Sequence, residues 1–178
     1  VGDVSDEVVS SIKATESHVL TNEHGIRPTV LFCRNVDVDA LNNTGLRRLD
    51  GKEHEFKGKT YFQSDEFKRL YEKSFTLPTE LTLKVGAQVM LIENLDVLGG
   101  LVNGSRGVVT EIIAKGDDEL HPAGGVMVEF MNGVVKLMTP FKQVFKDDNA
   151  GVDGPERAYR IQYPLKLAYA LTIHKSQG

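Results

Sequence analysis

From Leu81 to Met138 the apolar residues fall in short alternating runs separated by glycine-bearing turns. That texture confines the region to antiparallel β structure, because alternation places one set of side chains on a core face. Leu81, Leu83 and Val85 alternate, and so do Val89 and Leu91. Gly99-Gly100 and Asn103-Gly104-Ser105-Arg106-Gly107 supply turns, and Val108–Ile113, Gly125–Met131 and Val134–Met138 are further strand patterns. Asn132-Gly133 joins the last two; it is a strong hairpin signal, since both residue types tolerate positive φ. Five short strands over about 60 residues predict a small closed β-barrel.

The flanks read differently. Ser5 is placed to cap a helix over Asp6–Glu16, with Val8, Val9 and Ile12 on one apolar face. Pro28–Cys33 is a continuous apolar run, as expected of a strand buried on both faces, which makes Cys33 a core thiol. A polar turn at Arg34-Asn35 leads to a helix over Val36–Leu49 that turns Val38, Leu41, Leu46 and Leu49 to the core. A short helix is expected over Asp65–Phe75, and a loop over residues 146–156. Arg157–Leu165 reads as a returning strand and Lys166–Gln177 as a short helix. Strand, turn and helix is the unit of α/β nucleotide-binding folds. The expected layout is an α/β domain over residues 1–76, an SH3-like barrel inserted over 77–145, and the α/β domain resumed over 146–178.

The chain has 178 residues and a formal net charge of −4, so no global basic field draws it to nucleic acid. A nucleic-acid contact would have to be local. Cys33 is the single cysteine and has no internal disulfide partner. No apolar stretch approaches the ~20 residues of a membrane span, so no membrane partner is expected. Asn42-Asn43-Thr44 and Asn103-Gly104-Ser105 match the glycosylation sequon, but so short a pattern arises by chance, and an intracellular location is expected. His18, His24, His54 and His121 show no metal-ligand spacing with one another or with Cys33, so no metal site is expected.

The last seven residues are Thr172-Ile173-His174-Lys175-Ser176-Gln177-Gly178, directly behind the apolar run Leu165–Leu171. A hydroxyl, an imidazole and an ammonium at these positions supply donors suited to phosphate oxygens. The chain stops within what should be an ordered segment, as a piece of a longer protein would.

Residues Leu165–Gly178 resemble motif V of superfamily 1 helicases of the PIF/RecD type. Leu83–Leu91, followed by Gly100–Gly107, is similar to the start of their SH3-like insertion, and Pro28–Asn35 with Val38-Asp39 and Asn42 is similar to their motif IV. The three motifs stand in the family's order and cover most of the chain. The resemblance implies the second RecA-like domain of an ATP-dependent DNA helicase, interrupted by its inserted barrel. Such an enzyme sandwiches ATP and Mg²⁺ between two RecA-like domains and moves 5′ to 3′ along single-stranded DNA, in settings such as DNA repair and recombination. The implied partners are single-stranded DNA and the first RecA-like domain of the same parent chain.

On that resemblance Thr172 and His174 contact DNA, hydrogen-bonding phosphates and sugars without reading sequence. Lys175 is either a further phosphate contact or a solvated charge. Gln177 and Gly178 correspond to the part of the motif that faces the nucleotide cleft. Asn35 and Asn42 either cap and decorate the helix that follows or touch the strand. Asn103, Gly104 and Gly107 form a tight turn, with DNA contact by Asn103 as the second reading; Arg106 is a phosphate ligand or a rim charge. No catalytic residue is assigned. The Walker A loop, the acidic Mg²⁺ motif and the final arginine motif are not found, so the chain alone should not hydrolyse ATP and should hold neither ATP nor Mg²⁺. Gly58-Lys59-Thr60 imitates the end of a phosphate loop, but the required first glycine would fall on Glu53. The rival readings are a protein-docking barrel and a helicase-like module of a relaxase- or transposon-associated protein. The first is disfavoured because Phe130, Phe141 and Phe145 are scattered and tryptophan is absent, a poor basis for a methyl-lysine cage.

Overall fold

A computed structural model describes residues 26, 28–116, 124–146 and 154–172. The helix expected over Asp6–Glu16 lies outside them. The elements are β1 (Val30–Phe32), α1 (Asn35–Arg47), β2 (His54–Lys57), β3 (Lys59–Phe62), α2 (Asp65–Tyr71), β4 (Glu80–Leu83) and β5 (Gln88–Leu91). They continue with β6 (Arg106–Ile113), β7 (Gly125–Phe130), β8 (Val135–Met138), β9 (Phe141–Lys146), β10 (Glu156–Gln162), β11 (Leu165–Leu167) and β12 (Ala170–Thr172).

The alternating residues build the main core. Strands β11, β5, β6, β7 and β8 form one five-stranded antiparallel sheet in that order. Leu83, Val89, Leu91, Val109, Val126, Val128 and Leu165 are each 0% exposed and pack in one cluster with Phe130 and Met138. Each such side chain contributes about 1.5–3 kcal/mol by leaving water. The Asn132-Gly133 hairpin forms as expected between β7 and β8, but only Gly133 takes positive φ, at 80°. The Gly133 N–H donates to Phe130 O, the Phe130 N–H to Val134 O, and the Val134 N–H to the Asn132 side-chain oxygen. Asn132 therefore serves the turn through its side chain rather than through left-handed backbone.

The expected closed barrel is not what these strands make. The five-stranded sheet is open, with β11 and β8 as its edges. The pairing also crosses the expected boundary at residue 146, since β11 takes the edge of β5 while β10 pairs with β9 on one side and β3 on the other. Strands β2, β3 and β9 show little apolar alternation in the sequence, because charged and polar residues interrupt it. Arg160 of β10 is 6% exposed; its Nε donates to Thr60 Oγ1 at 2.9 Å, its Nη1 to Leu77 O at 2.8 Å, and its guanidinium lies 4.4 Å from the Phe75 ring centroid. Burial lowers its pKa from the ordinary value and Glu72 opposes that shift. An arginine stays charged regardless.

Two expectations about the flanks need correction. Val30 and Leu31 are 47% and 50% exposed and Cys33 is exposed, so the strand is not buried on both faces and Cys33 is not a core thiol. The reason is that among the described residues β1 pairs only with β12, in parallel, and the apolar run cannot by itself distinguish one covered face from two. The helix read from Lys166 is replaced by the strands β11 and β12 over its described part. The run Leu165–Leu171 is too short to settle the period, and a kink at Ala168-Tyr169 lets it serve two sheets in turn.

Candidate nucleic-acid interface

That kink organises the site. The Gln88 side chain, 3% exposed, donates from Nε2 to Ala168 O at 3.0 Å, and the Ala168 N–H donates to Gln88 O at 2.9 Å. The Gln88 N–H donates to the Tyr169 hydroxyl. Tyr169 lies flat against Gly45 of α1, where a Cβ would stand 2.6 Å from the ring, so the helix needs a glycine there. Thr29 Oγ1 donates to Ala168 O and accepts from Arg106 Nη1, which resolves Arg106 as a tie between β6 and the entry to β1.

Beyond the kink, β12 has β1 on one side, with Ala170 opposite Val30 and Thr172 opposite Phe32. On the other side no further strand stands among the described residues. Instead the Ala170 N–H donates to Asn42 Oδ1 at 2.9 Å and Asn42 Nδ2 donates to Ala170 O at 3.2 Å. A side-chain amide thus stands in for the peptide group of a neighbouring strand and satisfies the open edge. Asn42 is 9% exposed and neither caps nor decorates its helix. Sequence reading singled it out but missed this role; the signal was a polar residue on the face that buries Val38 and Leu46.

Asn35 and Thr172 come together. Both line a cleft of about 450 Å³ bounded by α1, β4 and the β11–β12 segment. Asn35 is the first residue of α1 and exposed; the cap position is Arg34, which makes no side-chain cap and pairs with Asp37 at 2.9 Å. Thr172 is 8% exposed and sits at the end of a strand, not on a helix surface. Asn103 is not part of this cleft. Its N–H donates to the Asn94 side chain in a turn where Ser105 Oγ bonds Gly100 O, so the described contacts give it the turn role. His174, Lys175, Gln177 and Gly178 lie outside the described residues. The charged groups lining the cleft are Asp39, Glu80 and Lys166, a mixed set that by itself attracts no phosphate. Beyond the Thr172 hydroxyl and the Asn35 amide, further donors for a phosphate backbone would have to come from outside this lining.

Gly58-Lys59-Thr60 has no phosphate-loop geometry. The Gly58 N–H is given to Thr79 O, Lys59 and Thr60 belong to β3, and the next helix begins only at Asp65. The phenylalanines of the docking-barrel reading separate too: Phe130 is core, while Phe145 packs with Tyr71 and Phe75 at 4.9 Å each.

Comparison with known proteins places this geometry. The family described as DNA helicase Pif1, 2B domain, matches residues 66–112. The human ATP-dependent DNA helicase PIF1 is 36% identical over 178 residues, 100% of this chain and 26% of its own length. The crystal structure of Pif1 helicase from Candida albicans superposes with a TM-score of 0.76 at 29% identity, over 99% of this chain and 42% of that one. Over its whole length the chain is similar to Pif1 helicases. It spans about a quarter of the length of the curated Pif1 relatives it matches. Bacteroides Pif1 bound to ssDNA, at 23% identity and a TM-score of 0.65 over 98% of this chain and 37% of that one, shares the fold.

Proposed function

We propose that this chain is part of an ATP-dependent 5′-to-3′ DNA helicase, in which it supplies one stretch of the single-strand track and one wall of the ATP cleft. The observation that carries the reading is a coincidence of sequence and geometry. The segment matching motif V leaves the five-stranded sheet at Ala168, is clamped by Asn42, and delivers Thr172 to the cleft that Asn35 also lines. The Pif1 likeness extends over the whole chain. Thr172 and His174, with Lys175, would hold the strand by phosphate-directed hydrogen bonds, while Gln177 and Gly178 would face the nucleotide. The five-stranded sheet with its hairpins corresponds, on this reading, to the insertion in the second RecA-like domain; the Pif1 2B match at residues 66–112 takes in its strands β5 and β6. ATP and Mg²⁺ would bind only with the first RecA-like domain present, so the chain alone would not turn over ATP.

The test is strand separation by the intact parent, measured beside thermal melting. His174→Ala and Thr172→Val should each reduce unwinding and DNA-stimulated ATP hydrolysis at least tenfold, the scale of losing one transition-relevant contact of about 1.4 kcal/mol, with His174→Ala leaving the melt unchanged. Normal unwinding by a folded His174→Ala parent would remove the terminal motif from the track. ATP turnover by the chain alone, abolished by Lys59→Ala, would overturn the account of the cleft.

A further inference from the structure

Lys84 stands directly after β4, in the turn that leads into β5, and is 8% exposed. A lysine is rarely buried to that depth, because taking an ammonium out of water is costly unless it is paired and hydrogen-bonded. Here Nζ donates to Leu49 O at 3.0 Å and lies 3.4 Å from the Glu53 carboxylate. Leu49 is the second residue past the end of α1, and its own N–H donates to Leu46 O, so holding its carbonyl holds the helix end. A cation is favourable there, where the last carbonyls of a helix lack partners.

The turn that carries Lys84 is itself fixed. The Ala87 N–H donates to Lys84 O at 3.1 Å, the Gly86 N–H to Val109 O at 2.7 Å, and the Val109 N–H to Ala87 O at 2.9 Å, which stitches the turn to β6 of the five-stranded sheet. Helix α1 is thus tied at two directional points, Leu49 to Lys84 and Asn42 to Ala170 of β12. They lie about 10 Å apart along the helix, at a rise of ~1.5 Å per residue. Contacts of Leu46 and Leu49 with the main core hold α1 down, but apolar burial is non-directional and leaves its rotation and sliding loosely set. Two anchors remove that freedom. Without the one at Lys84 the Asn42 amide would meet Ala170 out of line, and a hydrogen bond weakens steeply out of line.

We infer that Lys84 is a positioning residue for the cleft. By fixing the C-terminal end of α1 to the five-stranded sheet, it sets the aim of Asn42 at β12 and of Asn35 into the cleft that Thr172 also lines. The role of the cleft rests on the proposed function; the positioning concerns α1 and β12 alone.

The test is amide exchange of the full chain at Ala170, whose N–H is held by Asn42, against Leu91 and Phe130 of the five-stranded sheet. Lys84→Met keeps the length and apolar stem of the side chain and removes the ammonium. It should accelerate Ala170 about tenfold more than Leu91 and Phe130, the scale of one lost hydrogen bond to a charged group. Glu53→Lys, at an exposed position that does not endanger folding, sets a like charge beside Nζ and should accelerate Ala170 selectively by about threefold. A lysine that merely stabilises would add its effect to that of Asn42→Ala, whereas a positioning lysine acts through Asn42. In the Asn42→Ala background Lys84→Met should therefore change Ala170 by less than about twofold further. Should Lys84→Met not fold, Glu53→Lys carries the same comparison and the same cycle. The positioning role is overturned if neither variant accelerates Ala170, if Leu91 and Phe130 accelerate as much as Ala170, or if the effects multiply in the double variant. In the intact parent Lys84→Met should also weaken binding of a thymidine oligonucleotide about tenfold. Unchanged binding with Ala170 accelerated would leave Lys84 positioning α1 and sink the cleft as the strand track.

Discussion

The five-stranded sheet and the β1–α1–β12 unit are held together by different physics. In the first, six side chains from Val89 to Leu165 are wholly removed from water, with Leu83 of β4 packed against them, and non-directional apolar burial dominates. In the second, β1 leaves Val30 and Leu31 about half exposed, and the strand carrying Thr172, itself buried, is oriented by directional contacts: Asn42 to Ala170, Gln88 and Thr29 to Ala168, Arg106 to Thr29. Burial makes a region stable without dictating orientation finely, whereas paired hydrogen bonds dictate orientation at modest net stability. The segment that delivers Thr172 is therefore both packed, with Ala170 at 0% and Leu171 at 7% exposed, and held in orientation by paired hydrogen bonds.

The largest effect should come from the packed region. Leu83→Ala empties a site with 0% exposure and should cost about 3–5 kcal/mol in denaturant unfolding, with the whole chain losing structure together. Asn42→Ala should cost less, about 2 kcal/mol, because it leaves a buried backbone N–H and C=O at Ala170 unpaired. Its signature should be local: amide exchange at Ala170 should accelerate far more than exchange in β6 or β7. Equal acceleration everywhere would break the comparison, since β12 would then unfold only with the main core. Thr29→Val, which removes both the Ala168 and the Arg106 bonds of a half-buried hydroxyl, should cost about 1 kcal/mol. Gly45→Ala gains helix propensity but drives a methyl into Tyr169; the outcome should be a displaced Tyr169 and weaker protection of Ala168.

The same division explains what the sequence made legible. Val89, Leu91, Val108–Ile113 and the Asn132-Gly133 turn were readable because alternation and turn chemistry are local signals. Helix α1 was readable within two residues at each end from its apolar spacing. Sheet closure was not, because it depends on which edge meets which, and here β11 from far along the chain takes the edge of β5. The kink at Ala168 was invisible for a related reason: it is imposed by Gln88, 80 residues earlier. Asn35 and Thr172 were identified one at a time from motif chemistry, whereas their meeting in one cleft required the parallel pairing of β1 and β12. The role of Asn42 required that pairing as well.

The smallest effect tests whether the packed region also excludes water from a polar group. Tyr163 is 8% exposed, lies edge-on to Phe56 at 4.7 Å, and burial raises its pKa above the usual tyrosine value of 10.0. In the unfolded chain the hydroxyl ionises near the ordinary value, so the folded state holds the proton more tightly than the unfolded one. The associated stability is fully present below pH 10 and is lost as pH rises through the folded-state pKa. Tyr163→Phe has no such proton. Its unfolding free energy should track that of the unsubstituted chain with a constant offset within about 1 kcal/mol from pH 7 to pH 9. Above pH 10 the substituted chain should gain relative to the unsubstituted one, because only the latter loses stability through this hydroxyl. Groups common to both proteins cancel in the difference. Parallel curves through the alkaline range would mean that water reaches Tyr163, and that the boundary between packed and positioned regions lies further inside the sheet than the burial of Leu83, Leu91 and Leu165 implies.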